Sequence, residues 1–283
     1  MNTLYQDNAF VDSNDARVSV FDRSFLFGEG LFESFRSYEG QLPFLRHHLD
    51  RLGWSSTVLG LTIPDLNFEK ICLELLEKNG FEDARFKIVL SRQGKGFGPN
   101  IEPEDDTPSL IIFCEELANK EETVSSLKVC RNHINNTAPL ATMKTTSYLT
   151  KIIAKKEAME AGFDDAILLD SKGHVTETCS GNLFWIDPSG KLKTPMAEQG
   201  CLAGVTQNIL KKLLADQKFK IEESVISPND LSSCKEVFVT NAVQGVMPVG
   251  QIDDRNISGG DIGDVTAMIR DLWVKNIKDQ LKH

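Results

Sequence analysis

Short strand-like runs, bounded by turn residues, alternate with helix-period segments along this chain. This alternation restricts the possible folds more than any other feature. Residues 166–169 and 174–177, for example, flank the turn signal Asp170-Ser171-Lys172-Gly173 and predict a hairpin. A regular strand–helix–strand series, which a doubly wound parallel sheet requires, is not present. The pattern therefore predicts an α+β fold with substantial antiparallel sheet.

The chain of 283 residues is long enough for two domains. Residues 118–122 are polar and carry no periodic pattern, so we place the domain boundary there. The prediction is a small N-terminal domain (1–118), a linker (119–125) and a larger C-terminal domain (126–283). In the larger domain, residues 148–161 predict a helix. Its expected inner face carries Leu149, Ile152, Ile153 and Met159.

Charge and composition exclude several classes of function. The net charge of −10 argues against a nucleic-acid or anionic-membrane partner. The sequence has no apolar run of about 18 residues, so we expect no membrane-spanning helix. It does not begin with a basic region followed by an apolar one, so we expect no signal peptide. None of the six cysteines forms a Cys-x-x-Cys pair, so we expect no metal site. We expect reduced thiols and a cytoplasmic location.

Lys144 is the first candidate functional residue. It precedes a helix-period segment and follows the mostly apolar or neutral residues 139–143. A partly desolvated lysine more readily presents the neutral amine that condenses with an aldehyde. The alternative is a solvated surface lysine, the usual fate of this residue type.

Two further elements complete a pattern. Glu177 follows a strand-like run and can pair with a heterocyclic ring nitrogen, or it can be an exposed carboxylate at a strand end. Gly204-Val205-Thr206 opens a helix whose unpaired N–H groups favour a phosphate, although the same pattern fits ordinary N-capping. Arg51 is the natural cation for that phosphate, or a surface partner of Asp50 or Asp22. An amine, a carboxylate and a phosphate cradle are what pyridoxal 5'-phosphate (PLP) requires.

Together these residues resemble the fold-type IV PLP enzymes, which include branched-chain and D-amino acid aminotransferases and 4-amino-4-deoxychorismate lyases. The resemblance covers nearly the whole chain. It begins at residues 20–33, with Phe27-Gly28-Glu29-Gly30 at their centre, and ends at Val239-Thr240-Asn241-Ala242. It implies a small N-terminal domain, a larger domain with a mixed sheet or barrel, and a homodimer.

The resemblance also implies roles. Lys144 would bind the cofactor covalently and move the substrate's protons, and Glu177 would pair with the ring nitrogen. The residues that would hold the phosphate are Arg51, Val205, Thr206, Asn241 and Ala242.

The branch of the family is less sharply defined. The stretch around Asn241-Ala242 and the glycine-rich loop 91–98, with Arg92, look more like the aminodeoxychorismate lyases. Tyr148 is four residues beyond Lys144, where branched-chain aminotransferases have a tyrosine five residues beyond the lysine. We therefore predict a lyase that releases pyruvate and forms 4-aminobenzoate. The alternative is an aminotransferase for branched-chain or D-amino acids, and a third hypothesis is a non-catalytic binding protein on the same scaffold.

Substrate contacts are expected mainly from the strand 31–38. Its alternation places Phe32, Ser34 and Arg36 on one face, where Arg36 can meet a carboxylate. Tyr38 and Arg92 complete the candidates. Core packing is the alternative for Phe32, and a surface ion pair is the alternative for Arg36.

Overall fold

The computed structural model describes residues 2–100, 107–117, 124–130 and 140–282. The chain divides into two compact units. The first unit contains Met1–Asn119 and Met143–Tyr148, and the second contains Lys120–Thr142 and Leu149–His283.

Among the described residues, the first unit contains a five-stranded antiparallel sheet with the order β2-β1-β5-β4-β3. The strands are β1 (Thr3–Gln6), β2 (Ala9–Asp12), β3 (Gly30–Arg36), β4 (Ala84–Gln93) and β5 (Thr107–Glu116). The helices are α1 (Arg23–Phe27), α2 (Leu45–Leu59) and α3 (Phe68–Asn79). The predicted strand at 31–38 corresponds to β3. Helix α3 begins at Phe68, because the Asn67 side chain accepts the Lys70 N–H and caps the helix there.

The two faces of this sheet differ. Leu31 and Phe35 of β3 lie in one buried cluster with Leu52 of α2 and Leu75 of α3. Because side chains alternate along a strand, Phe32, Ser34 and Arg36 lie on the opposite face. The core is therefore on the face that carries the helices, and the other face is available for a site.

In the described part of the second unit, six strands close into a barrel in the order β9-β12-β13-β6-β7-β8, with β8 pairing back to β9. The barrel strands are β6 (Ser125–Val129), β7 (Asp165–Leu169), β8 (Val175–Thr178), β9 (Asn182–Ile186), β12 (Glu236–Asn241) and β13 (Gly245–Ile252). The remaining strands are β10 (Leu192–Thr194), β11 (Ile221–Glu223) and β14 (Arg255–Asn256). The pairs β6–β7 and β6–β13 are parallel, so the sheet is mixed.

The helices of this unit are α4 (Leu149–Glu160), α5 (Val205–Asp216), α6 (Pro228–Leu231) and α7 (Asp264–Gln280). One expectation about α4 is wrong. Its predicted inner residues, Leu149, Ile152, Ile153 and Met159, are 50–67% exposed. Ala154 and Ala158 are buried instead, because the helix lies close to the barrel through its small residues.

The segment 143–148 differs from the predicted domain division, which assigned it to 126–283. Thr145 forms a bridge with Leu31, and the Phe32 N–H donates to the Lys144 carbonyl at 2.8 Å. Because β3 is the last strand of its sheet, its outer edge offers backbone groups to this segment. Residues 119–123 of the predicted linker lie outside the described residues. No helix of the described residues is long and apolar enough to cross a bilayer.

Candidate active site

The segment that follows Lys144 is held against the start of β3 by two hydrogen bonds from Thr146. The Thr146 N–H donates to the Gly30 carbonyl at 2.8 Å, and the Thr146 hydroxyl donates to the Gly28 carbonyl at 2.9 Å. A Cβ on Gly30 would lie 2.8 Å from the Ser24 Cβ and 2.9 Å from the Thr146 Oγ1. Glycine at this position therefore allows the lysine segment to approach β3, which explains part of the glycine-rich opening motif.

The Phe32 ring lies beside two lysines. The Nζ atoms of Lys144 and Lys87 are each 4.6 Å from its centroid, and the Tyr148 ring meets it edge-on at 5.5 Å. Burial lowers the pKa of Lys87, with a further contribution from the Arg85 charge. Lys144 is half-buried, so it is not the fully solvated surface lysine that the sequence left open as the alternative. Tyr148 lies against this cluster even though its spacing from Lys144 departs from the expected one.

Lys87 was not among the residues predicted from the sequence. The signal that could have found it is register: Lys87 pairs with Ser34, on the same face of the sheet as Phe32 and Arg36. Strand pairing is not visible in a single strand's pattern. The cluster around Phe32 therefore combines cations and aromatic rings, a setting suited to an anionic, partly apolar molecule.

Arg51 is part of a buried ion cluster with Glu33 and His48. Its Nε and one terminal nitrogen donate to the two Glu33 carboxylate oxygens at 2.8 and 2.7 Å. The His48 Nδ1 lies 2.7 Å from the Glu33 Oε2. Burial opposes ionisation of Glu33, but hydrogen bonds and charge from Arg51 and His48 lower its pKa to about 2. Burial also lowers the pKa of His48.

This cluster fixes the orientation of Arg51. The sequence-based alternatives for its partner, Asp50 and Asp22, are wrong. Asp50 pairs with Arg46 at 2.9 Å, and Asp22 caps the start of α1. A bidentate guanidinium–carboxylate pair is stronger and more directional than a single contact.

Glu177 lies on β8 in the second unit and is 4% exposed, which rules out the expected alternative of an exposed strand-end carboxylate. Its Oε1 is 2.8 Å from the Lys151 Nζ, and its Oε2 accepts the Leu202 N–H at 3.1 Å. The Asn182 amide donates to the Leu202 carbonyl at 2.7 Å. Leu202 thus joins the carboxylate to the loop that precedes α5. Lys151 was not predicted, because nothing in the local sequence separates it from the other lysines of α4.

The N-terminus of α5 has the features of a phosphate cradle. Its N-cap residue, Gly204, provides no side-chain hydrogen bond to the first turn, and Val205 and Thr206 are buried. A Cβ on Gly204 would lie 1.8 Å from the Asn182 Oδ1, so no other residue fits there while Asn182 keeps its position. First-turn N–H groups and the helix dipole favour an anion.

The end of β12 lies next to the same region, since Thr240 pairs with Asn182 in the register of β9 and β12. The Asn241 Oδ1 accepts the N–H groups of Val243 at 3.0 Å and Gln244 at 2.8 Å, which shapes the turn 241–244. The Thr240 Oγ1 is buried and has no hydrogen-bond partner among the residues that the structure describes. A buried hydroxyl with an unmet hydrogen bond beside a helix N-terminus fits a bound polar group. The second unit thus brings together the predicted residues Glu177, Val205, Thr206, Asn241 and Ala242, which fit a ring nitrogen and a phosphate.

The remaining substrate candidates have partners within the first unit. Arg36 pairs with Asp83 at 3.1 Å, and its guanidinium lies 4.3 Å from the Tyr38 ring centroid. Burial raises the pKa of Tyr38 to about 12.

Arg92 is buried, and its contacts are structural ones and not those of the expected substrate-binding residue. It lies 3.3 Å from Glu29 and donates to the carbonyls of Leu59 and Gly60 at 3.1 and 2.7 Å. These contacts tie β4 to the end of α2 and favour a structural role.

Comparison with known proteins identifies the family. The model of the family "Amino-transferase class IV" matches residues 30–252. The chain belongs to the class IV aminotransferase family. A protein of Methanocaldococcus jannaschii assigned as a branched-chain-amino-acid aminotransferase is 33% identical over 274 residues, or 95% of this chain and 94% of the relative.

Two other members show the breadth of the family. The aminodeoxychorismate lyase of Bacillus subtilis is 28% identical over 298 residues, or 98% of this chain and 96% of that protein. The structure of the branched-chain aminotransferase of Thermoproteus uzoniensis with norvaline has a TM-score of 0.86 at 25% identity, covering 97% of this chain and 94% of that chain. The expected fold-type IV architecture and the family assignment are confirmed.

Class IV aminotransferases and their lyase relatives depend on PLP, so this chain is a PLP-dependent aminotransferase or lyase. The predicted cofactor is confirmed at this level. The groups present in the two units also fit this cofactor. The first unit contains the half-buried Lys144, and the second contains the buried carboxylate of Glu177 and the N-terminus of α5, which no side chain caps.

Proposed function

We propose that PLP is held by the residues that the sequence singled out. Lys144 carries it covalently and moves the proton at the substrate's amine-bearing carbon, while Glu177 holds the ring nitrogen in its protonated form. Bound PLP supplies an aldehyde for the substrate amine and a ring that accepts the electron pair left at that carbon. The phosphate is held by Arg51, Val205, Thr206, Asn241 and Ala242.

The physical support differs between these residues. Glu177 is buried and oriented by two donors, so it presents a fixed charge. Arg51 lies on helix α2 and is oriented by Glu33 of β3. Helix α5 adds the N–H groups of its first turn. Fixed donors need no reorganisation when they bind a ligand, which is why preorganised groups bind and catalyse well.

We propose that the reaction is transamination of branched-chain or similar aliphatic amino acids. The observation that carries this choice is the similarity, over 95% of the chain, to the Methanocaldococcus jannaschii protein. Phe32, beside Lys87 and Lys144, supports it by placing an apolar surface next to cations. An aliphatic side chain and a carboxylate need such a combination.

The lyase remains the second candidate, and one of its two supports is weaker than the sequence suggested. Arg92 was expected to mark the lyase loop, but it contacts Glu29 and the carbonyls at the end of α2. The other support, Asn241-Ala242, stands, because the Asn241 side chain shapes the turn after β12.

We infer a homodimer from the exposed apolar face of α4. Leu149, Ile152, Ile153 and Met159 are 67%, 56%, 50% and 63% exposed. Scattered single apolar residues are normal on a surface, but four on one short helix mark an interaction site. A second copy of this chain is the partner that the family resemblance favours.

An assay with two substrate pairs tests the reaction. Purified protein with PLP receives either leucine with 2-oxoglutarate, or 4-amino-4-deoxychorismate. We expect 4-methyl-2-oxopentanoate and glutamate from the first pair, and no pyruvate or 4-aminobenzoate from the second. The reverse outcome would assign the lyase. Lys144→Ala is the control and should abolish turnover and the lysine-dependent absorbance at the edge of the visible range.

A further inference from the structure

The ion pair of Lys151 and Glu177 is the feature that the proposed cofactor contacts leave unexplained. The Lys151 Nζ lies 2.8 Å from the Glu177 Oε1, and the two side chains are 20% and 5% exposed. The neighbouring lysines of α4 are placed differently. Lys155 pairs with Asp165, and Lys156 makes a solvent-exposed contact with Glu160 on its own helix.

Glu177 is so deeply buried that an unpaired charge on it would cost the folded protein a large free energy. A buried carboxylate loses its hydration and needs a cation or several hydrogen bonds in exchange. Its Oε2 accepts a hydrogen bond from the Leu202 N–H, which is a neutral donor, and its Oε1 accepts one from the Lys151 ammonium. Cys201 is close enough to interact with this carboxylate, and its pKa is raised by burial and by the charge of Glu177. A neutral thiol offers no positive charge, so Lys151 is the cation that balances Glu177 within the described part of this unit.

These two contacts leave the Glu177 carboxylate able to accept further hydrogen bonds. An ionised carboxylate has about four lone-pair positions, and Lys151 and Leu202 use one on each oxygen. A ring N–H can share the group without displacing either donor.

We propose that Lys151 is a positioning residue for the site. Its ammonium gives the buried Glu177 carboxylate a counter-charge and fixes its orientation, so that the carboxylate is charge-balanced whether or not PLP is bound. This inference rests on the proposed role of Glu177, and it adds a cation that acts on the cofactor through that carboxylate. In a protein without this lysine, the ring cation of PLP would be the main counter-charge of Glu177, and folding would depend on the cofactor more strongly.

Thermal unfolding of the full-length protein, with PLP removed and with PLP restored, tests the proposal. We compare Lys151→Met, Lys151→Arg and, as a control at a solvent-exposed ion pair of the same unit, Lys220→Met. Without PLP, we expect Lys151→Met to lower the Tm by roughly 6–12 °C, the order of magnitude for breaking a largely buried pair in a chain of this size. With PLP restored, at least half of that loss should disappear. Lys151→Arg should keep the wild-type Tm within about 2 °C, and Lys220→Met should change nothing in either form.

A second comparison separates charge from packing. Adding Glu177→Gln to Lys151→Met removes the unbalanced carboxylate, so the double variant should be more stable without PLP than Lys151→Met alone. If Lys151→Met does not fold by itself, the double variant should still fold. An equal loss of Tm with and without PLP, or a loss that Glu177→Gln does not relieve, would mean that Lys151 only packs, and the proposal would be wrong.

Failure of this inference can be told apart from failure of the proposed function. Glu177→Gln alone should weaken PLP binding, measured by fluorescence titration, at least tenfold if the carboxylate holds the ring nitrogen. An unchanged PLP affinity in Glu177→Gln would reject the role of Glu177. A tenfold loss there, combined with no PLP-dependent effect in Lys151→Met, would reject the role of Lys151 only.

Discussion

Gly204→Ala is the sharpest test of the phosphate cradle. Gly204 has φ −67° and ψ 136°, which alanine adopts without strain, so the backbone itself tolerates the change. The new methyl group, however, would lie 1.8 Å from the Asn182 Oδ1 and 3.3 Å from the Gln207 Cβ. Asn182 must therefore turn away, and its buried amide loses the 2.7 Å hydrogen bond to the Leu202 carbonyl.

The magnitude follows from these contacts. A buried amide left without its partner costs about 1–3 kcal/mol, and overpacking costs a similar amount. We expect a net loss of about 3 kcal/mol and, for a chain of this size, a Tm lower by roughly 6–12 °C. Because Leu202 also donates to Glu177, the change should reach both the phosphate cradle and the carboxylate and weaken PLP binding.

Differential scanning calorimetry and PLP titration measure the two effects. Gly53→Ala is the matched control, because Gly53 lies inside α2 and a methyl group there would meet nothing within 4 Å. Alanine at that position should stabilise the protein by roughly 0.5–1 kcal/mol. In an Asn182→Ala background, Gly204→Ala should cost much less, since the clashing atom is gone. An unchanged Tm in Gly204→Ala, or the same loss in both backgrounds, would refute the reasoning.

Three further outcomes are expected. The pKa of Glu33 is held at about 2, below its ordinary 4.5, so its ion cluster contributes stability above pH 4.5 that is lost as the pH falls toward 2. Glu33→Gln should therefore lose roughly 3 kcal/mol at pH 7 and little at pH 2, measured by urea unfolding at both pH values; equal losses would contradict this. Lys87→Met should raise the KM for the amino acid more than it lowers kcat if Lys87 meets the substrate carboxylate, and steady-state kinetics decide this. Ile152→Lys should shift the protein from dimer to monomer in light scattering, whereas the same change at a partly exposed apolar residue of α3, Leu73→Lys, should not.

Local sequence was sufficient for the functional candidates, because each one depends on a residue type at a particular kind of element boundary. Glu177 was proposed because it follows a strand-like run, although the structure places it within β8, and Gly204-Val205-Thr206 were proposed because they open a helix. The partners of these residues were not accessible in the same way. Glu33 for Arg51, and Lys151 for Glu177, come from other elements, and their contacts depend on how a helix packs on a sheet.

The error on α4 has a related cause. Its large apolar residues lie at helical spacing, and such a pattern normally marks the buried face. The structure buries Ala154 and Ala158 and leaves Ile152 and Ile153 exposed. A single chain's periodicity cannot distinguish a face that packs on its own barrel from a face that packs on a second molecule.

The sequence by itself determined the α+β class and much of the order of the elements, and it supplied Lys144 as the candidate for the reactive lysine, because periodicity, turn residues and residue chemistry are local properties. Only the tertiary structure decided that six strands close into a barrel, that the lysine segment joins the edge of the first sheet, and that Arg92 is tied to the end of α2. These outcomes depend on register and on side chains that are distant in the chain, and their free energies arise only when the elements pack together.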